Sequence, residues 1–431
     1  MKVLLIGSGG REHALAWKIA ASPKCSKLYC APGNPGIADV AELCPVSVDD
    51  ISGLVKLAQD LAIDFVVVGP EGPLVAGLVD ALEASGIPAF GPKKDAAQLE
   101  GSKGFTKDLC SKYDIPTAGY GRFADAAKAE EFIRKTGAPI VVKADGLAAG
   151  KGVIIASTVD EAVAAVQDML AGNAFGAAGH EVVVEEYMDG EELSFFALCD
   201  GTTVLPFTSA QDHKRVGEGD TGLNTGGMGA YSPAHFMDYD LQQKIMQRII
   251  LPTAKGMAKD GHPFQGVFFA GIMVVKDDPY LIEYNARFGD PETQPMMMRL
   301  ENDLLELLHA CATGKLDAHP SLTFSDKAAM GVVLAAKGYP GSYAKGGSIK
   351  GIDSADALSE TKVFHAGTSK NTAGDLVSSG GRVLCVTALA DTIAEAQQKA
   401  YQAVDKIDFA DGFCRRDIGW RAIKAGKSKA A

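Results

Sequence analysis

The sequence has little that would take the chain into or across a membrane. No apolar run among the 431 residues approaches the roughly 18 residues that a membrane-spanning helix requires. The first apolar stretch, residues 3–6 (VLLI), is too short for a signal peptide and is soon followed by Arg11 and Glu12. The eight cysteines form no C-x-x-C pair, which favours reduced thiols over a disulfide framework. We therefore expect a cytoplasmic protein without a membrane anchor.

The sequence also lacks an excess of positive charge. It has 42 lysines and arginines against 54 aspartates and glutamates, a formal net charge of −12. Proteins that bind nucleic acid or anionic membranes nonspecifically need a basic face, so we expect neither partner. Small anionic substrates are not excluded, because a few lysines and arginines can still form a local site.

Glycine, by contrast, is abundant, and the first 90 residues alternate short apolar strands with helical patterns. This alternation predicts a parallel sheet with helices on both faces. We predict one helix opened by Pro73 (PLVAGLVDALEAS) and another over residues 95–113. A smaller α/β unit follows over residues 114–192. From residue 328 onward the pattern changes to short strands with one helix.

The turn GSGGREH at residues 7–13 resembles a dinucleotide-binding fingerprint only in part. The motif G-x-G-x-x-G requires glycine at position 12, where this sequence has Glu12, and no acid ends the second strand. A glycine turn before a helix can still bind a phosphate or another anion. A tight turn without a ligand is an equally good interpretation.

A second glycine-rich stretch, VVKADGLAAGKGV at residues 141–153, follows an apolar strand. It is not a Walker A loop, because three residues rather than four separate Gly146 from Gly150, and Gly152 replaces the serine or threonine. Lys143 lies on the strand, the glycines let backbone N–H groups approach phosphate oxygens, and Lys151 adds charge. We interpret the stretch as a phosphate-binding loop, with a flexible surface hairpin as the alternative.

Two further stretches carry polar groups at strand ends. In VVVEEYMDGEE, residues 182–192, a strand leads to a turn whose backbone could bind an adenine edge, with a carboxylate beyond it for ribose hydroxyls; the alternative is a charged hairpin. In LIEYNARFGDPE, residues 281–292, Glu283, Asn285 and Arg287 share one face of a strand. Carboxylate and amide oxygens suit Mg²⁺, and a guanidinium binds phosphate or carboxylate. The alternative is a solvated strand face.

A long glycine-rich loop spans residues 209–233, and loops of that length are usually functional or disordered. Asp212, His213, Lys214 and Arg215 cluster at its start. His213 could act as a base, but a lone histidine in a charged loop is more often simply polar, and we assign it no role.

Taken in order, these motifs resemble those of the ATP-grasp superfamily of carboxylate–amine ligases. Within that superfamily they are most similar to the glycinamide ribonucleotide synthetase (phosphoribosylamine–glycine ligase) family. The resemblance extends from residue 7 to residue 388. It rests on GSGGREHAL, APGN, VGPE-x-PLV, EGSK-x-F-x-K, VVKADGLAAGKGV, GNAFG, QDHKRVG, NTGGMGAYSP, EYNARFGDPETQ and GGRVLCVTAL.

The resemblance implies a role for each matching residue. The catalytic residues are expected to be Lys143, Lys214, Arg287 and Asp290. The expected ATP-binding residues are Lys107, Lys143, Gly146, Gly150, Lys151, Gly152, Glu185, Glu186, Tyr187, Met188 and Glu192. Glu283 and Asn285 are the expected metal ligands. The expected substrate-binding residues are Gly9, Gly10, Arg11, Asn34, Asp212, Arg287 and Asp290. Leu223 stands where the family usually has proline, but this departure removes no polar group.

The resemblance also implies a fold and a reaction. The fold is multidomain α/β and α+β: an N-terminal parallel α/β substrate domain (1–105), a small ATP-grasp lobe (106–192), a large ATP-grasp lobe with the metal site (193–326) and a mostly β C-terminal domain (327–425). The implied reaction ligates glycine to 5-phosphoribosylamine through glycyl phosphate, with ATP as co-substrate and Mg²⁺ or Mn²⁺ as cofactor. A monomer is expected, with a weak dimer as the alternative.

The sequence disfavours three other functions. Another ATP-grasp ligase, such as a purine-pathway carboxylase or a formate-using transformylase, is disfavoured by QDHKRVG and NTGGMGAYSP. A nucleotide sensor that has lost catalysis is disfavoured by the intact lysines and Glu283. An oxidoreductase is disfavoured by Glu12.

Overall fold

The structure is a computed structural model, and it describes residues 1–147, 152–172, 180–319 and 321–429. Gly150 and Lys151, two of the expected ATP-binding residues, lie outside the described residues. Among the described residues, no helix combines the length and the apolar character needed to cross a membrane.

The N-terminal sheet is parallel, as the alternation of strands and helices predicts. Its strands lie in the order β3-β2-β1-β4-β5. The strands are β1 (Lys2–Gly7), β2 (Lys27–Pro32), β3 (Glu42–Leu43), β4 (Phe65–Val68) and β5 (Ala89–Phe90), and the helices are α1 (Gly10–Ala20), α2 (Ile51–Asp60), α3 (Glu71–Ala76) and α4 (Leu78–Ala84). A short 3₁₀ helix, Ile37–Asp39, precedes β3.

Two helices predicted as continuous are each interrupted. The helix predicted to open at Pro73 instead starts at Glu71 and breaks at Gly77, whose φ of +91° is left-handed and favours glycine. The helix predicted over residues 95–113 is α5 (Gln98–Gly101) followed by α6 (Lys103–Lys112). The break occurs at Ser102, which is extended and whose side chain accepts a hydrogen bond from Phe105 N to cap α6.

The small lobe is a four-stranded antiparallel sheet, in the order β6-β9-β7-β8, covered by two helices. Its elements are β6 (Tyr120–Phe123), α7 (Ala126–Thr136), β7 (Ile140–Ala144), β8 (Val153–Ala156), α8 (Val159–Leu170) and β9 (Val182–Glu186). The two helices pack on the sheet around a separate core that includes Ile133, Val142 and Val166. The lobe therefore has its own hydrophobic core.

The rest of the chain is built on one large sheet, in the order β16-β15-β10-β11-β14-β17-β21-β18, with β22 paired to β17. The first part of this region of the chain contains β10 (Glu191–Asp200), β11 (Val204–Asp212), β12 (Arg215–Gly217), β13 (Thr221–Asn224), β14 (Gly229–Ser232), α9 (Tyr239–Ile245), α10 (Leu251–Lys259), β15 (Gln265–Val275), β16 (Asp278–Asn285), α11 (Thr293–Arg299) and α12 (Leu304–Ala312). The second part of this region contains β17 (Ala328–Ala336), α13 (Ile352–Asp356), β18 (Thr361–His365), β19 (Thr368–Lys370), β20 (Leu376–Ser378), β21 (Arg382–Ala390), α14 (Ile393–Val404), β22 (Gly412–Phe413) and α15 (Trp420–Lys429).

The predicted boundary at residues 326/327 falls inside this continuous sheet, because β14 pairs with β17 across it. The N-terminal strands also share a core with the large sheet: Val3 and Leu5 belong to the same apolar cluster as Phe196, Met296 and Phe364. The four-domain division of the chain stays a prediction.

The N-terminal and C-terminal parts are joined by a buried polar contact. Asn34 Nδ2 donates to the carbonyls of Ser8 (2.8 Å) and His365 (2.9 Å), and its Oδ1 accepts from the backbone of Gly36 and Ile37. The backbone N–H of His365 donates to His13 Nδ1 at 2.7 Å. Burial lowers the pKa of both imidazoles, that of His365 to about 4. Both rings are therefore neutral at pH 7.

We expect this junction to make stability depend on pH. A histidine in an unfolded chain titrates near 6.5, whereas the pKa of His365 is about 4 when folded. Between these values the unfolded chain binds more protons, so stability falls as the pH drops from about 6.5 toward 4. His365 should account for a loss of about 2 kcal/mol between pH 7 and pH 5. Urea unfolding of wild type and His365→Gln at both pH values measures this loss, which the variant should lack.

A matched control for this experiment is His180→Gln, because His180 is exposed. This variant should keep the wild-type dependence on pH. An equal loss of stability in wild type and His365→Gln would contradict the assignment to His365.

Candidate active site

A cavity of about 700 Å³ lies between the small lobe and the large sheet, and the N-terminal domain contributes part of its wall. Most of the expected site residues line it. These are Arg11, Lys107, Lys143, Gly146, Gly152, Glu185, Glu186, Tyr187, Met188, Glu192, Asp212, Lys214, Glu283, Asn285, Arg287 and Asp290. The fold thus brings together residues that are up to 279 positions apart in the sequence.

Two lysines meet at one buried carboxylate of the small lobe. Lys107 on α6 and Lys143 on β7 lie 3.2 Å and 2.9 Å from the two oxygens of Glu185 on β9. Lys143 also donates to the carbonyl of Ile282, which connects the small lobe to β16, the strand that carries Glu283 and Asn285. The strand order places β9 beside β7, so the side chains of Glu185 and Lys143 can meet. The sequence predicted that Glu185 belongs to the turn that binds adenine. The structure shows in addition that its carboxylate forms ion pairs with both lysines.

Glu283 and Asn285 lie at the C-terminal end of strand β16, on the face toward the cavity. Tyr284 points the other way, and its hydroxyl contacts Thr253 in the core at 2.8 Å. Burial would raise the pKa of Glu283, but Lys214, Lys143 and Lys103 lower it below its usual value. Glu283 is therefore an anion held among cations.

The donor chemistry at this strand end fits Mg²⁺. An anionic carboxylate and an amide oxygen are hard ligands, and Mg²⁺ usually binds few protein groups and completes its shell with phosphates and water. In the described part of the chain, no three His, Cys, Asp or Glu side chains are arranged to hold a metal by themselves. A metal here would therefore depend on oxygens of a bound nucleotide.

Arg287 is held by carboxylates of the N-terminal domain. Its Nε lies 3.2 Å from Glu71 Oε2, and its Nη2 lies 2.9 Å from Glu100 Oε1 and 3.0 Å from Asn285 Oδ1. Burial would raise the pKa of Glu71, but Arg287 and Arg11 lower it to about 2. This network fixes both the guanidinium and the amide of the expected metal ligand Asn285.

Lys214 and Glu192, which both line the cavity, form an ion pair. Burial would lower the pKa of Lys214, but the carboxylates of Glu192, Glu283 and Asp212 raise it. Lys214 is therefore a cation held close to Glu283 on β16. This position suits the stabilisation of negative charge on a transferring phosphoryl group.

Asp290 contacts the backbone of the glycine turn at residues 7–13. Its Oδ2 accepts from Arg11 N at 3.3 Å, at the N-terminus of α1, and lies 3.7 Å from Arg382 Nη2. Glu12, which breaks the dinucleotide fingerprint, folds back so that its Oε2 accepts from Gly9 N at 2.7 Å. Two carboxylates of the chain itself thus engage the donors of this turn.

The structure does not bring every predicted residue to the cavity. Gly9, Gly10 and Asn34 do not line it, and the hydrogen bonds of Asn34 to backbone groups give it a place in the junction between domains. His213 is buried, and its ring nitrogens contact Gly229 O (3.3 Å) and Gly419 N (2.9 Å). Both contacts are to backbone groups, so both ring nitrogens of His213 are engaged within the protein.

Several cavity residues were not singled out from the sequence, namely Glu71, Glu100, Lys103, Glu292 and Arg382. All five lie inside motifs on which the family resemblance rests. Lys103 is in EGSK-x-F-x-K, and its Nζ donates to Gly146 O at 3.0 Å, at the start of the predicted flap. Arg382, from the C-terminal strand β21, donates to the carbonyls of Gly226 and Asp290, both at 2.6 Å. Membership of these motifs could have indicated that the five residues belong to the site. The groups that they contact could not be predicted from the sequence.

Comparison with protein families places nearly the whole chain in one family. Residues 1–100 match the phosphoribosylglycinamide synthetase N domain, residues 101–293 its ATP-grasp (A) domain and residues 329–421 its C domain. These matches agree with the resemblance that the motifs carry. They also confirm the ATP-grasp fold class predicted from the sequence.

Individual relatives cover the same extent. The chain is 61% identical to a phosphoribosylamine–glycine ligase of Mesorhizobium japonicum over 98% of this chain and 99% of the relative, and 56% identical to that of Vibrio cholerae over the full length of both. The crystal structure of phosphoribosylamine–glycine ligase from Thermotoga maritima superposes with a TM-score of 0.85 at 32% identity, covering 97% of this chain and 100% of that one. A biotin carboxylase domain of Hydrogenobacter thermophilus in complex with MgADP shares the fold alone, with a TM-score of 0.72 at 17% identity over 96% of this chain and 91% of the other.

Proposed function

The chain belongs to the phosphoribosylglycinamide synthetase family, and we propose that it ligates glycine to 5-phosphoribosylamine through a glycyl phosphate intermediate. The products are glycinamide ribonucleotide, ADP and phosphate, in purine biosynthesis. The enzyme is a ligase that forms a carbon–nitrogen bond. The observation that carries this proposal is the geometry around Glu185, where the two small-lobe lysines meet opposite Glu283 and Asn285.

The chemistry explains why so many cations surround one cavity. A carboxylate does not acylate an amine unaided, because its oxygen is a poor leaving group. Glycine therefore first attacks the γ-phosphate of ATP, and the amine of phosphoribosylamine then displaces phosphate from the acyl phosphate. Lys143 and Lys214 stabilise the negative charge that moves in each step, and Lys107 helps to hold the nucleotide.

Glu283 and Asn285 are the residues that would hold Mg²⁺, and we extend this proposal to Mn²⁺, which accepts similar oxygen ligands. When bound, the ion neutralises phosphate charge. Arg287 contributes by fixing the amide of Asn285 and by presenting charge to the cavity. The anionic state of Glu283, maintained by three lysines, keeps this site ready for a cation.

The remaining site residues divide between nucleotide and acceptor. We assign Gly146, Gly150, Lys151 and Gly152 to a flap over the phosphates, and Glu185, Glu186, Tyr187, Met188 and Glu192 to the adenine and ribose. Arg11, Asp212, Arg287 and Asp290 form the side that receives glycine and phosphoribosylamine. Gly9, Gly10 and Asn34 contribute by shaping the turn that carries Arg11 and packs on Asp290. The acyl phosphate must be kept from water, which gives the small lobe and its flap a reason to close.

The proposal includes the setting in which the enzyme works. We propose that it acts in the cytoplasm as a monomer, or at most as a weak dimer, with ATP, glycine and phosphoribosylamine as its partners. The net charge of −12 supports the absence of nucleic acid or membrane from this set. The predicted division into four domains fits this function, because it separates an acceptor domain from a lobe that covers ATP.

The first experiment is to measure ADP release with Mg²⁺, ATP and glycine, with and without phosphoribosylamine formed in place from ribose 5-phosphate and ammonia. We expect release that requires both co-substrates, with glycinamide ribonucleotide identified by mass. Release with a different acid or amine would contradict the substrates and keep the fold. Absence of release from folded protein that still binds ATP would favour a nucleotide sensor.

A further inference from the structure

The hairpin of β12 and β13, residues 215–224, depends on other parts of the protein for its position. In the described part of the chain its two strands pair only with each other, as a separate two-stranded sheet. A two-stranded hairpin without further support is marginally stable in water. Arg215, Asp220 and Asn224 of this hairpin nevertheless line the cavity, and Lys214 immediately precedes it. The position of this part of the cavity wall is therefore set by the groups that hold the hairpin.

The support comes from residues 415–421, which we call the C-terminal segment. Arg415 of this segment is 1% exposed, and its Nη1 donates to the carbonyl of Arg215 at 3.0 Å and to Asp220 Oδ1 at 2.9 Å. Its Nε and Nη2 donate to the two carboxylate oxygens of Asp417, both at 2.8 Å. Two parallel hydrogen bonds of this kind fix the plane of a guanidinium. Arg415 therefore holds the start of the hairpin and its turn at the same time.

The turn of the hairpin is bound to the same segment at further points. Asp220 Oδ2 accepts from Trp420 Nε1 at 3.1 Å and lies 2.8 Å from Arg421 Nη2. Asp417 Oδ2 accepts from Gly219 N at 2.8 Å. Burial would raise the pKa of Asp220, but the neighbouring guanidinium groups lower it below its usual value, so its carboxylate is an anion at neutral pH. Asp220 has a φ of +59°, which is uncommon for a residue other than glycine, and these contacts hold it there.

The contacts of the C-terminal segment lie on both sides of Lys214 in the sequence. Gly419 N donates to Nε2 of His213, the residue before Lys214, at 2.9 Å. Arg415 donates to the carbonyl of Arg215, the residue after it. The backbone of Lys214 is therefore held through both of its neighbours, while its side chain lines the cavity.

We propose that Arg415 is a positioning residue that holds Lys214 where its charge can act on the transferring phosphoryl group; this inference rests on the proposed function. Arg415 does not itself line the cavity. It acts through the backbone of Arg215 and the carboxylate of Asp220, and Asp417 fixes its guanidinium. The C-terminal part of the chain thereby contributes to catalysis by fixing the geometry of a cavity wall.

The test compares kcat per folded molecule in wild type and in Arg415→Met, which keeps a long side chain but loses its hydrogen bonds to the hairpin. We expect kcat for ADP release to fall about ten- to a hundredfold, because a displacement of about 1 Å in a catalytic group has an effect of this size. The affinity for a non-hydrolysable ATP analogue with Mg²⁺, measured by calorimetry, should stay near the wild-type value, because Lys107 and Lys143 lie on other elements. A merely structural role would lower the folded fraction and leave kcat per folded molecule unchanged.

Two further variants sharpen this comparison. Arg416→Met is the matched control, because the neighbouring Arg416 side chain is half-exposed and pairs with Asp405 at 2.6 Å rather than with the hairpin. Its kcat should equal that of wild type, and a fall as large as that of Arg415→Met would contradict a specific role for Arg415. Arg415→Lys keeps the charge but not the planar fork, so it should recover only part of the lost kcat.

Hydrogen exchange followed by mass spectrometry measures the same effect without turnover. The amides of residues 213–224 should exchange faster in Arg415→Met than in wild type, while those of α8 in the small lobe should exchange at the wild-type rate.

Two results would overturn the inference. One is an unchanged kcat per folded molecule in Arg415→Met, and the other is a fall in kcat without faster exchange of the hairpin. If Arg415→Met does not fold, Asp417→Asn provides the same comparison, because it weakens the paired hydrogen bonds that fix Arg415, and an unchanged kcat there would likewise overturn the inference. Wild type that releases no ADP would instead contradict the proposed function.

Discussion

Replacing Lys143 with alanine is expected to lower kcat for ADP release at least about a hundredfold, the range of a lost charge contact to a transition state. Lys143 is buried, lies 2.9 Å from Glu185 and donates to the carbonyl of Ile282 on β16, next to Glu283. Its ammonium is therefore held where the phosphates must lie. A lost contact of this size corresponds to about 3 kcal/mol in the activation free energy.

The matched control is Lys128→Ala, because Lys128 lies on α7 of the same lobe but is exposed. This variant should turn over at the wild-type rate. Lys143→Ala removes one of the two lysines that contact Glu185, so some loss of stability in the small lobe is expected as well. The kinetic comparison is therefore made at a temperature where circular dichroism shows both variants folded. Near-normal turnover of folded Lys143→Ala would rule out a catalytic role.

The parallel N-terminal sheet could be predicted because its signals are local. Each strand is a short apolar run followed by a helical pattern, and the alternation dictates parallel pairing. The interrupted helices could not be predicted in the same way. Gly77 and Ser102 are single residues whose effect depends on backbone conformation: Gly77 adopts a left-handed φ, and Ser102 is extended and caps the next helix. An isolated glycine or serine is tolerated in many helices, so the sequence alone did not reveal the breaks.

The candidate site likewise contains residues that could be predicted from the sequence and contacts that could not. That Lys143, Glu283 and Asn285 belong to one site was predicted from residue type and strand periodicity, and all three line the same cavity; their roles stay predictions. The contacts of Arg287 were not predictable, because its carboxylate partners Glu71 and Glu100 come from helices of another domain. Long-range pairing of this kind is set by how domains pack.

The second large effect is expected at Glu283. Replacing it with alanine should lower kcat at least about a hundredfold, because the change removes the one anionic member of the expected metal-binding pair, on which the charges of Lys214, Lys143 and Lys103 act. Glu283 lies on β16, whose other end carries Asp278, paired on the surface with Lys244 and Arg248. Asp278→Ala is therefore a matched control on the same strand and should retain near-normal turnover.

The metal dependence of the variants adds a second readout. If Glu283 holds the ion, Glu283→Ala should require a higher Mg²⁺ concentration for half-maximal ADP release, and Glu283→Asp should recover part of the lost activity. Metal binding can also be followed without turnover, by Mn²⁺ electron paramagnetic resonance in the presence of a non-hydrolysable ATP analogue. A Glu283→Ala enzyme with wild-type turnover and wild-type Mn²⁺ affinity would move the metal site away from this strand. In Glu283→Ala the ion would keep Asn285, which Arg287 holds in place, as its expected protein ligand and would depend still more on oxygens of the nucleotide.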